Sequence, residues 1–350
     1  MKRIISVLLI ISMLMIGIYI PINAVTLPDG SDLSPTAAPS SYTTANGWTK
    51  ITTATQFKNI AAGGKYYLAA DIDLTASGVN FKTLAGGANS AKALILDGCG
   101  HTVTTKKPLF EELPGGESKV GTHSQIKNLI IKGSISVTLS EITAYDNGFS
   151  VAALVGKANG GIFTNIVNNA SVTVSDSNNS DIRVAGLVGS VFNDSSKFIN
   201  CQNNGDLTAS VGSGASNYYA MGGIVAYIGY NDVDVYKAYF ASCKNTGDVT
   251  NKSTATEKTF AGGILGTKKT DTTVQIIACS NTGVLSALNK GIDVAQGLAS
   301  KSFSNMTIAD ATKVSSASEF AKINGSGSYY ISKNITRSSL RYGKGQIRSG

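Results

Sequence analysis

Two carboxylates, Asp71 and Asp73, are the first residues of this chain whose type and spacing could do chemistry. Side chains two apart on a strand share a face. Paired carboxylates there suit glycoside acid–base chemistry or calcium binding. Asp97, in the turn before Cys99, could join them. A later stretch repeats this one with Asn334 and Thr336 in the two slots, so the slots do not demand charge. A structural role at strand ends is the better expectation. His101 and His123 have no carboxylate or cysteine partner at a telling spacing, and both read as surface or turn histidines. Neither the Ser-rich stretches nor Lys119 marks a nucleophile. The Gly-Gly pairs precede apolar strands without a basic residue or helix start, so no phosphate loop is expected. No cofactor and no metal site is read from the sequence.

Aromatic residues carry the stronger signal. Six of the 14 tyrosines, Tyr218, Tyr219, Tyr227, Tyr230, Tyr236 and Tyr239, fall in one short stretch, with Asp232 and Asp234 among them. Exposed tyrosines beside acids can stack on and hydrogen-bond sugar rings, or form a protein-contact patch. The alternative is that several fill the core or brace the loop. Accessibility decides between the two.

The elements that must position these residues recur along the chain. Val151-Ala-Ala-Leu-Val-Gly156, Val184-Ala-Gly-Leu-Val-Gly189, Met221-Gly-Gly-Ile-Val-Ala226, Ala261-Gly-Gly-Ile-Leu-Gly266 and Ala295-Gln-Gly-Leu-Ala-Ser300 end 33, 37, 40 and 34 residues apart. Between them lie Val167-Asn-Asn-Ala-Ser-Val172, Cys201-Gln-Asn-Asn-Gly-Asp-Leu207, Cys243-Lys-Asn-Thr-Gly-Asp-Val249 and Cys279-Ser-Asn-Thr-Gly-Val-Leu285. Such a period predicts a stacked, quasi-one-dimensional architecture. Each repeat reads as three short strands: the Gly-rich hexamer, a strand ending at the Cys, and one after Asn-x-Gly. Asn and Gly tolerate left-handed angles and are expected to turn the corners. Three short strands separated by corners make one coil of a parallel β-helix. The fold class predicted is therefore all-β, a right-handed parallel β-helix (solenoid), with a short N-terminal capping helix over Ile51–Ile60. Stretches 175–181, 210–217 and 251–258 vary most between repeats and should emerge from one edge, where binding often happens.

Cys201, Cys243 and Cys279 share one slot, which Val167 fills in the first repeat. A slot that takes Val or Cys is apolar and inward-facing, so buried thiols are expected rather than disulfides. Zinc is not expected, since there is no paired Cys-x-x-Cys.

The chain opens Met1-Lys2-Arg3 and continues with 17 almost wholly apolar residues, Ile4–Ile20, and Pro21-Ile-Asn-Ala24. This reads as a secretory signal cut after Ala24, with an uncleaved anchor as the alternative. Residues 25–47 read as a flexible linker, 48–140 as leader and cap, 141–300 as the repeats. Residues 301–350 read as a partial second copy of the leader with a basic tail. In that copy Phe320, Ile323 and Tyr329-Tyr330-Ile331 match Phe57, Ile60 and Tyr66-Tyr67-Leu68 at an offset of 263. It either caps the far end or begins a longer array. Net charge is +8, falling to +6 once Lys2 and Arg3 leave with the signal. Arg337, Arg341, Lys344 and Arg348 make the tail a candidate contact for an anionic cell wall. The charge is otherwise scattered, so nucleic acid is a poor partner.

The Gly-Gly-Ile-Val and Cys-x-Asn-x-Gly-x-Val-Thr units resemble the GLUG-type repeats of bacterial, mostly Gram-positive, cell-surface proteins. Phe57, Tyr66-Tyr-Leu, Asp71-Ile-Asp-Leu74 and Leu96-Asp-Gly-Cys-Gly-His-Thr-Val103 resemble the β-helical leader that often precedes them. The resemblance implies a secreted or cell-surface right-handed β-helix with an adhesion-like role. Similar repeats occur in large immunoglobulin-A-cleaving metallopeptidases, but the His-Glu-x-x-His zinc site of those enzymes is missing here, as is a Leu-Pro-x-Thr-Gly sorting signal. The expectation is a non-enzymatic scaffold binding a glycan or protein through loops on one edge. Its rivals are a carbohydrate-active enzyme on the same fold and a piece of a longer surface protein.

Overall fold

The structure is a computed structural model of the chain. It describes residues 33–85, 92–114, 123–142, 148–175, 181–192, 196–210, 219–229, 237–252, 259–269, 273–277, 279–287, 311–314 and 328–331. The described residues are mostly strand, with one helical turn at Ala54–Phe57 and 3-10 turns at Thr44–Asn46 and Leu139–Glu141. Their strands pair in parallel, so the protein is all-β with parallel sheets. The segment expected as a secretory signal and the basic tail lie outside the described residues. No helix among the described residues is long and apolar enough to cross a membrane.

One compact unit spans Pro28–Asn305. Its longest ladder runs through Trp48–Ile51, Lys65–Leu68, Ile95–Asp97, Gln125–Val137, Gly161–Asn168, Ser196–Ile199, Lys237–Ala241 and Thr273–Ile277. Strand alternation sends every second side chain inward. Phe163, Phe198 and Phe240 therefore stack in register, fully buried, with ring centroids 4.9 Å apart at both steps. Each such side chain contributes about 2–3 kcal/mol of burial.

A left-handed corner comes three residues before the Asn-x-Gly asparagines. Asn128, Asn165, Asn200 and Ser242 adopt left-handed φ of 52° to 54°. Asn165 donates to Asn128 Oδ1 at 2.9 Å, and Asn200 to Asn165 Oδ1 at 2.8 Å. The Asn-x-Gly asparagines are instead an internal ladder. Asn168 donates to Asn203, Asn203 to Asn245, and Asn245 to Asn281, each at 2.7 Å. Their glycines answer to close approach and not to backbone angle. A Cβ on Gly205 would lie 1.9 Å from the carbonyl oxygen of Ala170, and one on Gly247 would lie 2.1 Å from that of Gly205.

The Gly-rich hexamers are not single strands either. Each of the four described ones bends at its middle into two, as in Tyr219–Gly222 with Val225–Ile228 and Thr259–Gly262 with Leu265–Lys268, while Ala295–Ser300 lies outside the described residues. The bend brings backbone onto backbone: a Cβ on Gly222 would meet the Val225 carbonyl oxygen at 1.9 Å. The two halves continue from repeat to repeat as separate ladders. A fourth ladder runs through Ser171–Ser175, Leu207–Ser210, Val249–Asn251 and Leu285–Ala287. Most of each variable stretch lies outside the described residues, but the flanking pairs Ser175 with Ser210 and Ile182 with Tyr219 are in register.

All four cysteines are buried and none is in a disulfide. The register that pairs Val167 with Gln202 puts Ile166, not Val167, level with Cys201. Both are apolar and buried, so the slot keeps its character.

The helical turn at Ala54–Phe57 is shorter than the stretch expected. Thr53 caps it by accepting from the Gln56 N–H at 3.2 Å, and it buries Phe57 against Phe81 and Phe110. Residues 33–47, expected as flexible linker, are docked on the strands. The Thr36 N–H donates to the Cys99 carbonyl at 2.8 Å.

The other compact unit combines 1–27 with 306–350. In it Ala311–Val314 pairs in parallel with Ser328–Ile331, joining Ala311 to Ser328 and Val314 to Ile331. Trp48 pairs with Lys65 and Ile51 with Leu68 in the same way. The internal echo thus extends to strand register.

Candidate functional site

Asp97 is the acid with the most elaborate surroundings. Its residue is 2% exposed on the outward side of the longest ladder. Oδ1 accepts from the Cys99 N–H at 2.8 Å and the Asn128 amide at 3.0 Å. Oδ2 accepts from the Tyr42 hydroxyl at 2.8 Å and lies 3.2 Å from Lys127 Nζ. Burial pushes the carboxyl up, but these donors and the ammonium outweigh it and hold Asp97 below the ordinary carboxylate value. For Lys127 burial acts downward, and Tyr42 and Asp97 together raise the ammonium above its usual value. The nearby Cys99 thiol is pushed up to about 12, first by burial and then by Asp97.

Aromatic rings stand over this centre. Tyr42 stacks on Trp48 with centroids 3.7 Å apart, and Tyr67 packs against both at 5.6 and 6.4 Å. Lys127 Nζ sits 5.8 Å from the Tyr42 ring centroid. Burial raises the Tyr42 phenol. All three rings are half-buried. The sequence hid this group: Tyr42 lay in an apparent linker, while Trp48 and Tyr67 needed strand parity to be seen on one face.

The other acids hold local structure. Asp71 Oδ1 accepts from the Thr102 N–H at 2.9 Å and meets His101 Nδ1 at 3.0 Å, a contact that sequence spacing did not reveal. The Thr102 bond, with His101, holds Asp71 below its ordinary value. Asp73 Oδ1 accepts from the Thr75 hydroxyl at 2.7 Å and its N–H at 2.8 Å, which lower its carboxyl likewise. Asp97 does not join this pair, for its partners are all different.

A cleft of about 490 Å³ opens beside Phe81, Lys82, Lys107, Glu111 and Glu141. Lys107 pairs with Glu141, whose carboxyl is lowered by that bond and by the Thr138 N–H. Elsewhere Glu112, 2% exposed, lies 3.3 Å from Lys157 Nζ. Arg183 lies over the Tyr227 and Phe192 rings at 4.9 and 5.5 Å. Among the described residues no cluster of three metal-ligating side chains occurs.

The tyrosine-rich stretch is dispersed. Tyr219, 1% exposed, is a core residue of a hexamer ladder, which removes it from a surface site. Tyr227 lies on the next ladder, beyond the bend, with Arg183 over its ring. Tyr239 faces outward on the longest ladder, half-buried. These three stand on three different ladders because strands between Tyr219 and Tyr239 belong to different sheets. Tyr218, Tyr230, Asp232, Asp234 and Tyr236 lie outside the described residues, as does Lys119.

Neither a protein-family model nor a curated protein sequence matches the chain. Its structure is similar to that of a candidate immunoglobulin A1 protease from Bacteroides ovatus, at 18% identity and a TM-score of 0.43. That match covers 70% of this chain and 78% of the other. A likeness at that level carries no argument about activity.

Proposed function

We propose that this chain is a secreted or cell-surface, non-enzymatic binding scaffold built as a right-handed parallel β-helix of GLUG-type repeats. The parallel register between successive repeats supports the architecture, and the apolar run before Ala24 supports export. One observation carries the non-catalytic reading. Asp71, Asp73 and Asp97, the carboxylates with spacing suited to catalysis, are each tied to fixed donors and held below their ordinary values. A general acid at neutral pH needs the opposite shift. Binding then falls to surface features, with a cell-surface glycan or protein as ligand and the basic tail as a contact for an anionic wall.

A carbohydrate-active enzyme is the second reading, favoured by the cleft that gathers Glu111 and Glu141 with Lys82 and Lys107. The full chain on a glycan array, with a parallel assay for polysaccharide degradation, separates the two. Binding without new reducing ends or unsaturated products supports the scaffold. Product formation that is lost in Glu111→Gln overturns it.

A further inference from the structure

The outward face of the longest ladder has an unusual composition. One row along it reads Trp48, Lys65, Ile95, Gln125, Ile162, Lys197, Tyr239 and Gln275. The row beside it reads Lys50, Tyr67, Asp97, Lys127, Thr164, Ile199 and Ala241. In these two rows four lysines accompany a single acid, and that acid is already enclosed by Lys127, Tyr42, Asn128 and the Cys99 N–H. Lys50, Lys65 and Lys197 are exposed. Half-buried aromatic rings stand near both ends, Trp48 with Tyr67 at one and Tyr239 at the other. Six strand steps separate Trp48 from Tyr239, about 29 Å at the ordinary strand spacing.

We infer that this face binds a carboxylate-bearing polysaccharide lying across the strands. The reading rests on the proposed binding scaffold and names its site and ligand class. Lysines are compact cations that attract an anion without demanding one fork geometry, which suits repeated charges on a long chain. The rings offer apolar area for sugar faces. Gln125, Gln275 and Thr164 offer donors and acceptors to hydroxyls. A neutral glycan would leave the lysine charge unanswered, and a polyanion without sugar rings would leave the aromatics unused. Tyr42 belongs to the wall of this site: it covers one face of Trp48 and anchors to Asp97, fixing the indole in place.

The test is calorimetric titration of the full chain with polygalacturonate, dextran and polyglutamate at low and high salt. Polygalacturonate should bind, weaken with added salt, and lose about tenfold in affinity in Trp48→Ala. It should lose at least as much in Lys50→Glu/Lys65→Glu, whose exposed positions leave folding intact. Lys106→Glu/Lys132→Glu, exposed but on another part of the surface, should bind as the parent does. Equal binding by the Lys50/Lys65 variant and the parent overturns the site. Equal binding of polyglutamate, unaffected by Trp48→Ala, overturns the sugar. Failure with all three polymers overturns the inference. The scaffold reading falls separately, only if the glycan array is also blank or the chain degrades its ligand.

Discussion

Asn203 donates its buried side-chain amide to Oδ1 of Asn245 at 2.7 Å and to the carbonyl of Gly205 at 2.9 Å. The same side chain accepts from Asn168 in the preceding repeat. Asn203→Ala leaves several buried polar atoms without partners, each costing about 1–3 kcal/mol. We expect a loss of about 3 kcal/mol with little change in the dependence on denaturant. Urea unfolding reads both, and a midpoint equal to the parent's would strip the ladder of its structural weight.

Gly247 touches the Gly205 carbonyl of the repeat before it, and the Gly283 position in turn touches Gly247. Gly247→Ala forces these backbones apart, a kind of overpacking that costs about 1–3 kcal/mol or more. Because each repeat contacts its neighbours, the damage should fall on the flanking repeats first. Hydrogen exchange should show faster exchange around 203–210 and 280–285 than around the Trp48–Leu68 pair. A uniform change across the chain contradicts the local origin.

The Asp97 centre gives a pH dependence with a fixed sign. A carboxyl held below its unfolded value stabilises the fold above that value. The contribution fades as pH falls through the folded value. Asp97→Asn should therefore be less stable than the parent near neutrality, and the gap should close only below the ordinary value of 3.8. Thermal melts from about pH 6 to about pH 2 measure the gap. A gap that widens toward acid would mean that Asp97 is not ionised in the folded protein.

The thiols should be silent in the folded chain. Cys99 is pushed up to about 12, and burial raises Cys243 well above its usual value. A thiol that stays protonated and covered is a poor nucleophile. All four are buried, so a maleimide at mildly alkaline pH should label none of them until denaturant is added, as mass spectrometry would count. Cys201→Val should cost less than about 1.5 kcal/mol, as volume-conserving apolar swaps do.

How much of this was legible in the residues depended on what each signal measures. Repetition of Gly-Gly and Asn-x-Gly marked parallel stacking, because only a neighbour in the same register explains a recurring slot. The same letters marked a change of ladder but gave the wrong reason for it, and they missed the left-handed turn three residues earlier. Glycine reports freedom of φ and closeness of approach alike, and here Gly205 and Gly247 answer to closeness while Asn165 and Asn200 take the left-handed turn. The tyrosine-rich stretch looked like one patch because its residues are near in sequence. Bends and changes of ladder between Tyr219 and Tyr239 separate them. Trp48, Tyr67 and Lys127 showed the reverse: apart in the chain, they come onto one face only once register is known.

The pair Ala311–Val314 with Ser328–Ile331 repeats the register of the first strand pair. It keeps Lys313 and Tyr330 where the first has Lys50 and Tyr67, yet carries Ala311 for Trp48 and Ser328 for Lys65. One backbone pairing thus occurs twice within a single polypeptide, with half of the side chains of the proposed binding face kept and half replaced. Swapping those residues between the two pairs would ask whether recognition can be transplanted without rebuilding the framework that presents it.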